Sequence, residues 1–201
     1  MHTGDLPLDG DHLALDFLNT APEPEGRRPD LIAAPDRVMA WLSRAGLASP
    51  QDGRRLAESP PLGRILTTEA RALREALGEA MDAFARGTVL PEPAFFALNR
   101  VLDARRVGVR AEPTGVTAAL RETAELRFPL GLLTPVAVAA VELLATGDRG
   151  RLRQCAAEGC GLWFYDSSRN GRRRWCSMAR CGNRAKVAAH YRRHRAGSPG
   201  G

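Results

Sequence analysis

The longest unbroken hydrophobic pattern runs from Arg64 to Arg86, where Leu66, Ala70, Leu73, Leu77, Met81 and Phe84 fall on one helical stripe and Gly87 supplies the stop. Shorter segments repeat the theme. Pro35 opens a helix in which Val38, Trp41, Leu42 and Ala45 recur at helical spacing before Gly46, and PEPAFFALNRVLDARR forms another behind its prolines. Pro135 to Ala145 is apolar nearly all round and predicts a buried helix, with TGDRG as the boundary after it. His12 to Asn19 (HLALDFLN) alternates loosely enough to suit a strand or the start of a helix, and the proline-punctuated APEPEGRRPD after it is a loop. Two runs, Val107 to Arg110 and Val116 to Leu120, predict a β-hairpin turning at AEPTG.

The pattern changes character after residue 148. Leu162 to Tyr165 (LWFY) is β-rich, Asn170-Gly171 is a hairpin signal, RRRWC returns as the second strand, and Cys181 to Arg195 reads as a helix packed through alanines 185, 188 and 189. The expected fold class is mainly α within α+β: an α-rich domain over 1–148 with one small hairpin, a compact module over 149–196, and a flexible tail over 197–201. The sequence contains no internal repeat.

Charge sharpens that division. Of 201 residues 44% are hydrophobic, enough for a genuine core, and the formal net charge is +6. Residues 149–201 hold thirteen Arg or Lys against two acids, while residues 1–148 hold sixteen against twenty-one. A basic module on a mildly acidic body implies that the module meets a polyanion. Membrane lipid is disfavoured, because the module lacks the broad apolar helix face that inserts. The N-terminus carries acids where a signal peptide needs positive charge, and no apolar run approaches the ~20 residues of a membrane span, so a cytoplasmic, reduced protein is expected.

All four cysteines lie in the basic module: Cys155 and Cys160, then Cys176 and Cys181, as C-x4-C, fifteen residues, C-x4-C. Two symmetric pairs suit four thiolate ligands around one zinc ion, a closed and structural site. Two disulfides are the alternative, favoured only in an oxidising compartment. A site built from Cys176, Cys181, His190 and His194 is the other competitor, but it orphans the first pair and places ligands far down the helix. The order knuckle, hairpin, helix is that of a treble-clef finger, and a module of about fifty residues is marginal without such a staple.

The stretch CAAEGCGLWFYDSSRNGRRRWCSMARCGNRAKVAAHYRRHR resembles the CGNR zinc finger family, its signature being Cys181-Gly182-Asn183-Arg184. Upstream, LALDFLNT, LREAL and LLTPVAVAAVELL resemble the α-rich ABATE-type domain that precedes the finger in that family. The resemblance implies a bacterial transcription regulator.

For nucleic acid, Asn183, Lys186, His190 and Arg193 are expected on the solvent face of the finger helix, with Arg169, Arg172, Arg173 and Arg174 adding phosphate contacts. Asn183 and Arg184 have a second reading, hydrogen bonding to the thiolates. Trp163, Phe164, Tyr165 and Trp175 suit the finger's own core or a stacking platform, and Asp166 caps the turn after them. In the body, Asp16, Asn19, Thr20 and Arg74 have two readings: a buried Asp16–Arg74 ion pair, or the lining of a small-molecule effector pocket. Enzymatic chemistry is not expected, since a closed zinc site leaves no open position and the four histidines form no nucleophile and base set. The expected partner is duplex DNA, bound as a homodimer where specificity requires it; RNA or a docked protein is the alternative.

Overall fold

The computed structural model describes residue 8 and residues 10–21 and 29–188. His12 to Asn19 resolves as a helix, α1 (Leu13–Leu18), whose Ala14, Leu15, Phe17 and Leu18 are all buried. Helix α2 (Pro35–Arg44) follows with proline in its first turn and Gly46 beyond its end at φ 73°. Helix α3 (Pro50–Ala57), which no apolar stripe announces, starts on a capping box: Ser49 accepts from the Asp52 N–H while the Asp52 carboxylate accepts from the Ser49 N–H at 2.9 Å. The long stripe becomes α4 (Pro60–Arg86), four residues longer than its pattern because Pro60 and Pro61 fill the first turn, where no N–H is needed. It stops at Gly87, whose φ of 66° lets its N–H reach back to the last-turn carbonyls. Helices α5 (Glu92–Leu102) and α6 (Thr134–Thr146) complete the body. Helix α6 corrects the expectation of burial all round: Val136, Ala137, Ala140 and Leu143 face the core, while Glu142 and Ala145 are exposed.

The hairpin forms, but longer and with a different turn. Strands β1 (Arg105–Thr114) and β2 (Thr117–Leu126) pair from Arg105↔Leu126 to Thr114↔Thr117, so the reversal falls at Gly115-Val116, not across AEPTG. Gly115 at φ 75° makes a two-residue turn possible, and in a two-stranded ribbon Pro113 can place its missing N–H on the open edge.

The C-terminal module departs further from expectation. Strand β4 (Trp163–Tyr165) pairs not with RRRWC but with β3 (Leu152–Gln154), on the other side of the first cysteine pair: Leu152↔Tyr165, Arg153↔Phe164, Gln154↔Trp163. Residues 166–176 form no ladder, and side chains satisfy much of their backbone instead. The buried Asp166 carboxylate accepts from the N–H of Ser168 at 3.0 Å, the N–H of Arg173 at 2.8 Å and the Ser168 hydroxyl, the turn-capping role expected of it. Against the desolvation of its burial, these bonds from Ser168 and Arg173 hold its carboxyl below the usual range. Arg151 donates to the Asp166 and Ser168 carbonyls and Arg153 to that of Gly171, each at 2.8 Å. A backbone fixed by three charged side chains has no need of a ladder. Beyond it, a π-helical turn (Met178–Gly182) leads into helix over 183–188, and the remainder of the predicted helix, with His190, Arg193 and His194, and the predicted tail lie outside the described residues.

Besides a small contact of Ala76 and Ala80 in α4 with Ala94 in α5, two apolar clusters form. The larger joins α1, α2, α4 and α6 around Phe17, Trp41, Leu73 and Leu77; the smaller holds the four cysteines with Ala157, Leu162 and Phe164. Strand β4 serves both, since alternate residues point to opposite faces: Trp163 and Tyr165 pack on the larger cluster and Phe164 fills the smaller.

Arg74 is buried as expected, but its partner is not Asp16. The guanidinium makes a two-pronged bond to Asp30, at 2.6 and 2.8 Å, and donates to the Thr20 carbonyl at 3.1 Å. That bond holds the Asp30 carboxyl below its usual range. Asp16 instead accepts from the Gly10 N–H at 2.7 Å, and burial pushes its carboxyl up to about 6. Asp30→Ala therefore strands a buried cation and should destabilise the body by about 3–5 kcal/mol in denaturant titration. Asp16 predicts a pH effect. The folded chain keeps that proton to about 6 while the unfolded chain releases it near 3.8, so folded protein binds more protons in between and stability falls as pH rises through that window. Relative to the parent chain, Asp16→Asn should gain roughly 2–3 kcal/mol between about pH 4 and pH 7, read from urea midpoints.

Candidate metal centre and basic surface

Four thiols meet at the junction of the first-pair loop, the 166–176 segment and the start of the last helix. All four are buried, and their sulfurs lie within 4.8 Å of one another. Cys160 and Cys176 are 3.7 Å apart at sulfur, Cys176 and Cys181 3.7 Å, and Cys160 and Cys181 3.5 Å. A disulfide needs a separation of about 2 Å, so these are not bonded pairs. A tetrahedron with metal–sulfur bonds of about 2.3 Å has edges of roughly 3.8 Å, close to the three separations among Cys160, Cys176 and Cys181.

Local sequence explains the convergence. The Cys155 N–H donates to the Leu162 carbonyl at 2.8 Å and that of Cys160 to Ala157 at 3.1 Å, curling the first pair into a knuckle. The Ala156 N–H donates to Arg174 at 2.9 Å and so ties the knuckle to the segment that delivers Cys176. Cys181 arrives on the π-helical turn, whose start the Ser177 hydroxyl caps.

The thiols are electrostatically incompatible as a set of anions. The hydrogen bond with Cys176 draws Cys160 down to about 5, and the same contact pushes Cys176 strongly up. Burial, then Cys160, moves Cys181 to about 11. A dication would resolve the conflict by binding all four as thiolates. Among the described residues no other cluster of three or more His, Cys, Asp or Glu could hold a metal ion. Cys155, Cys160, Cys176 and Cys181 would hold a zinc ion, which would tie knuckle to helix and, with four protein ligands, would serve structure rather than catalysis. Arg184 supplies the outer contact, its guanidinium lying 3.8 Å from the Cys181 sulfur and 3.4 Å from the Glu158 carbonyl. Asn183 does not share this role. Its side chain is exposed, and the amides of Gly182 and Asn183 donate to carbonyls of 177, 178 and 180.

The basic residues separate into two groups. Arg169, Arg172, Arg174, Arg184 and Lys186 are exposed, as is Arg180, which the sequence pattern did not single out. Arg173 departs from its expected phosphate role. It is half-buried, its guanidinium lies over the Phe164 ring, and it donates to the Asp11 carboxylate and to the carbonyls of Trp175 and Cys176. Likewise, Trp163, Phe164 and Tyr165 are packing residues; of the four aromatic candidates, Trp175 borders the open cleft next to the finger helix.

The four body residues divide among separate partners. Asn19 is spent on the finger: its carboxamide oxygen accepts from the Trp163 N–H at 2.9 Å and its nitrogen donates to the Trp163 carbonyl at 2.8 Å. The side chain thereby acts as a third strand on the outer edge of β4, where the Gly10 carbonyl also accepts from the Tyr165 N–H at 2.9 Å. Asp16 is held by Gly10, and Thr20 and Arg74 by each other and Asp30. Asp11, Asp30 and the clamping role of Asn19 escaped the sequence reading, because each pairs with a residue far away along the chain that no periodicity marks.

Two outcomes follow. Purified protein should carry one zinc per chain, and Cys176→Ser should unfold the module over 150–188 while the helical body keeps its circular dichroism. Asn19→Ala should leave zinc content unchanged yet speed hydrogen exchange at the Trp163 amide by roughly tenfold, since a partly buried pair of backbone groups loses its partner.

Two family models match the chain. Residues 151–194 match the CGNR zinc finger, and residues 11–147 match ABATE, described as Putative stress-induced transcription regulator. No curated relative matches. Since the second match spans well over half of the chain, and the first contains all four cysteines, this chain belongs to the ABATE family and carries a CGNR zinc finger.

Proposed function

We propose that this protein is a cytoplasmic DNA-binding transcription regulator in which zinc is structural and the finger makes the contact. The observation that carries the reading is the concentration of exposed cations, Arg169, Arg172, Arg174, Arg184 and Lys186, on the module that the four thiols close. Counterion release from phosphates is the free-energy source such a surface exploits, and it is independent of sequence. Base reading then falls to Asn183, exposed at the start of the last helix. One finger reads few base pairs, so we assign specificity to a homodimer. A closed tetrathiolate site gives no support to metal-assisted hydrolysis, and we propose no enzymatic activity. Among the described residues no helix is long and apolar enough to cross a membrane.

If the five cations named above neutralise about five phosphates, the logarithm of duplex affinity should fall against the logarithm of salt with a slope of about −4 to −5. Arg172→Ala should flatten that slope by about one and weaken all sequences alike. Arg173→Ala should instead loosen the finger, because that guanidinium holds internal carbonyls. Zinc-loaded full-length protein with no salt-dependent affinity for duplex DNA would overturn the proposal, and a clear preference for RNA of equal charge would move it to the RNA reading.

A further inference from the structure

Of the alanines expected to pack the last helix against its module, the two described ones, Ala185 and Ala188, face an open cleft. Ala185 and Ala188 line a cleft of about 600 Å³ between that helix, the knuckle and the 174–175 segment. Clefts of roughly 300–1,000 Å³ are the size that takes a small ligand or one unit of a polymer. The facing wall is Trp175, with the Arg174 guanidinium 5.3 Å from its ring centroid, a stacked cationic and aromatic surface. Arg184 and Lys186 stand on the helix side, and Glu158 is the one acid among the lining residues. The cleft therefore offers a flat aromatic wall, a small-residue floor and three cations against one anion.

We infer that this cleft receives a single unpaired nucleotide, its base stacked on Trp175 and Arg174 and its phosphate set toward Arg184 and Lys186. The chemistry favours that occupant over an acidic peptide. A peptide carboxylate would use the cations but leave the planar wall idle, whereas base stacking on aromatic and guanidinium planes uses both at once. The inference rests on the nucleic-acid reading and adds to it: the finger grips backbone phosphates through its outer cations and also holds one base out of the stack, at a strand end or an unpaired position.

The test uses full-length zinc-loaded protein and duplexes of equal phosphate number, one blunt and one with a short single-stranded overhang carrying 2-aminopurine. The overhang duplex should bind about tenfold more tightly, with the 2-aminopurine emission quenched. Ala185→Trp, which fills the cleft from the helix side, and Trp175→Leu should each remove the preference and the quenching while blunt-duplex affinity and zinc content stay unchanged. Trp175 also packs against the cysteine cluster, so Ala185→Trp decides the matter if the leucine variant loses zinc. Adenosine monophosphate that competes away the overhang preference but not blunt-duplex binding would identify a free nucleotide as a ligand of the same cleft. Equal affinity for both duplexes without quenching would overturn the cleft assignment and leave the DNA-binding proposal standing. Loss of binding to every duplex would sink the latter alone, provided that the monophosphate still binds in an Ala185→Trp-sensitive way; if it does not, the cleft assignment falls as well.

Discussion

Four buried thiols confined to a space in which every sulfur lies within 4.8 Å of the others are the constraint on which the C-terminal module depends. Left as thiols, they can neither ionise together nor pair as disulfides at these separations. A bound dication would convert the conflict into cohesion for a module whose own apolar cluster, around Phe164 and Leu162, is small. The arginines next to the site serve the same end from outside: Arg184 reaches a sulfur, Arg173 holds the carbonyls of Trp175 and Cys176, and Arg151 and Arg153 hold the loop that leads back to Cys176. Positive charge here is partly architecture, and Arg184, which is also exposed, belongs to both the architecture and the surface.

The module is not a bead on a string. Strand β4 gives Phe164 to the metal cluster and Trp163 and Tyr165 to the body, and its outer edge is covered by Gly10 and by the carboxamide of Asn19. The Tyr165 hydroxyl accepts from the Asp148 N–H at 3.0 Å, and Asp11 holds both Arg173 and Ser167. The first helix of the body is thus also a clamp on the finger. Strain applied to α1 from the body's core would reach the segment that carries the four cysteines.

Much of this was legible before any coordinates. The α4 stripe, the Gly87 stop and the four ligands follow from periodicity, backbone freedom and ligand chemistry, all of which are local in sequence. What the pattern missed was decided elsewhere. β4 took β3 as its partner because Asp166, Arg151 and Arg153 satisfy the backbone after β4, and no ladder signal records such bonds. Arg74 chose Asp30, from a loop, over Asp16 in the apolar segment, since Gly10 already supplies Asp16 with a donor. Arg173 resembled its exposed neighbours in sequence, and only the approach of Asp11 and Phe164 distinguishes it.

The central claim is that the finger, zinc-closed and clamped to the body, is the surface that meets DNA. Hydrogen–deuterium exchange on the zinc-loaded full chain, with and without saturating duplex DNA at low salt, tests it directly. The account predicts DNA-dependent protection over 169–188, centred on the 169–174 loop and the start of the last helix, with the hairpin over 105–126 unchanged. Protection confined to that hairpin or to the helices of the body, with the finger unaffected, would contradict it.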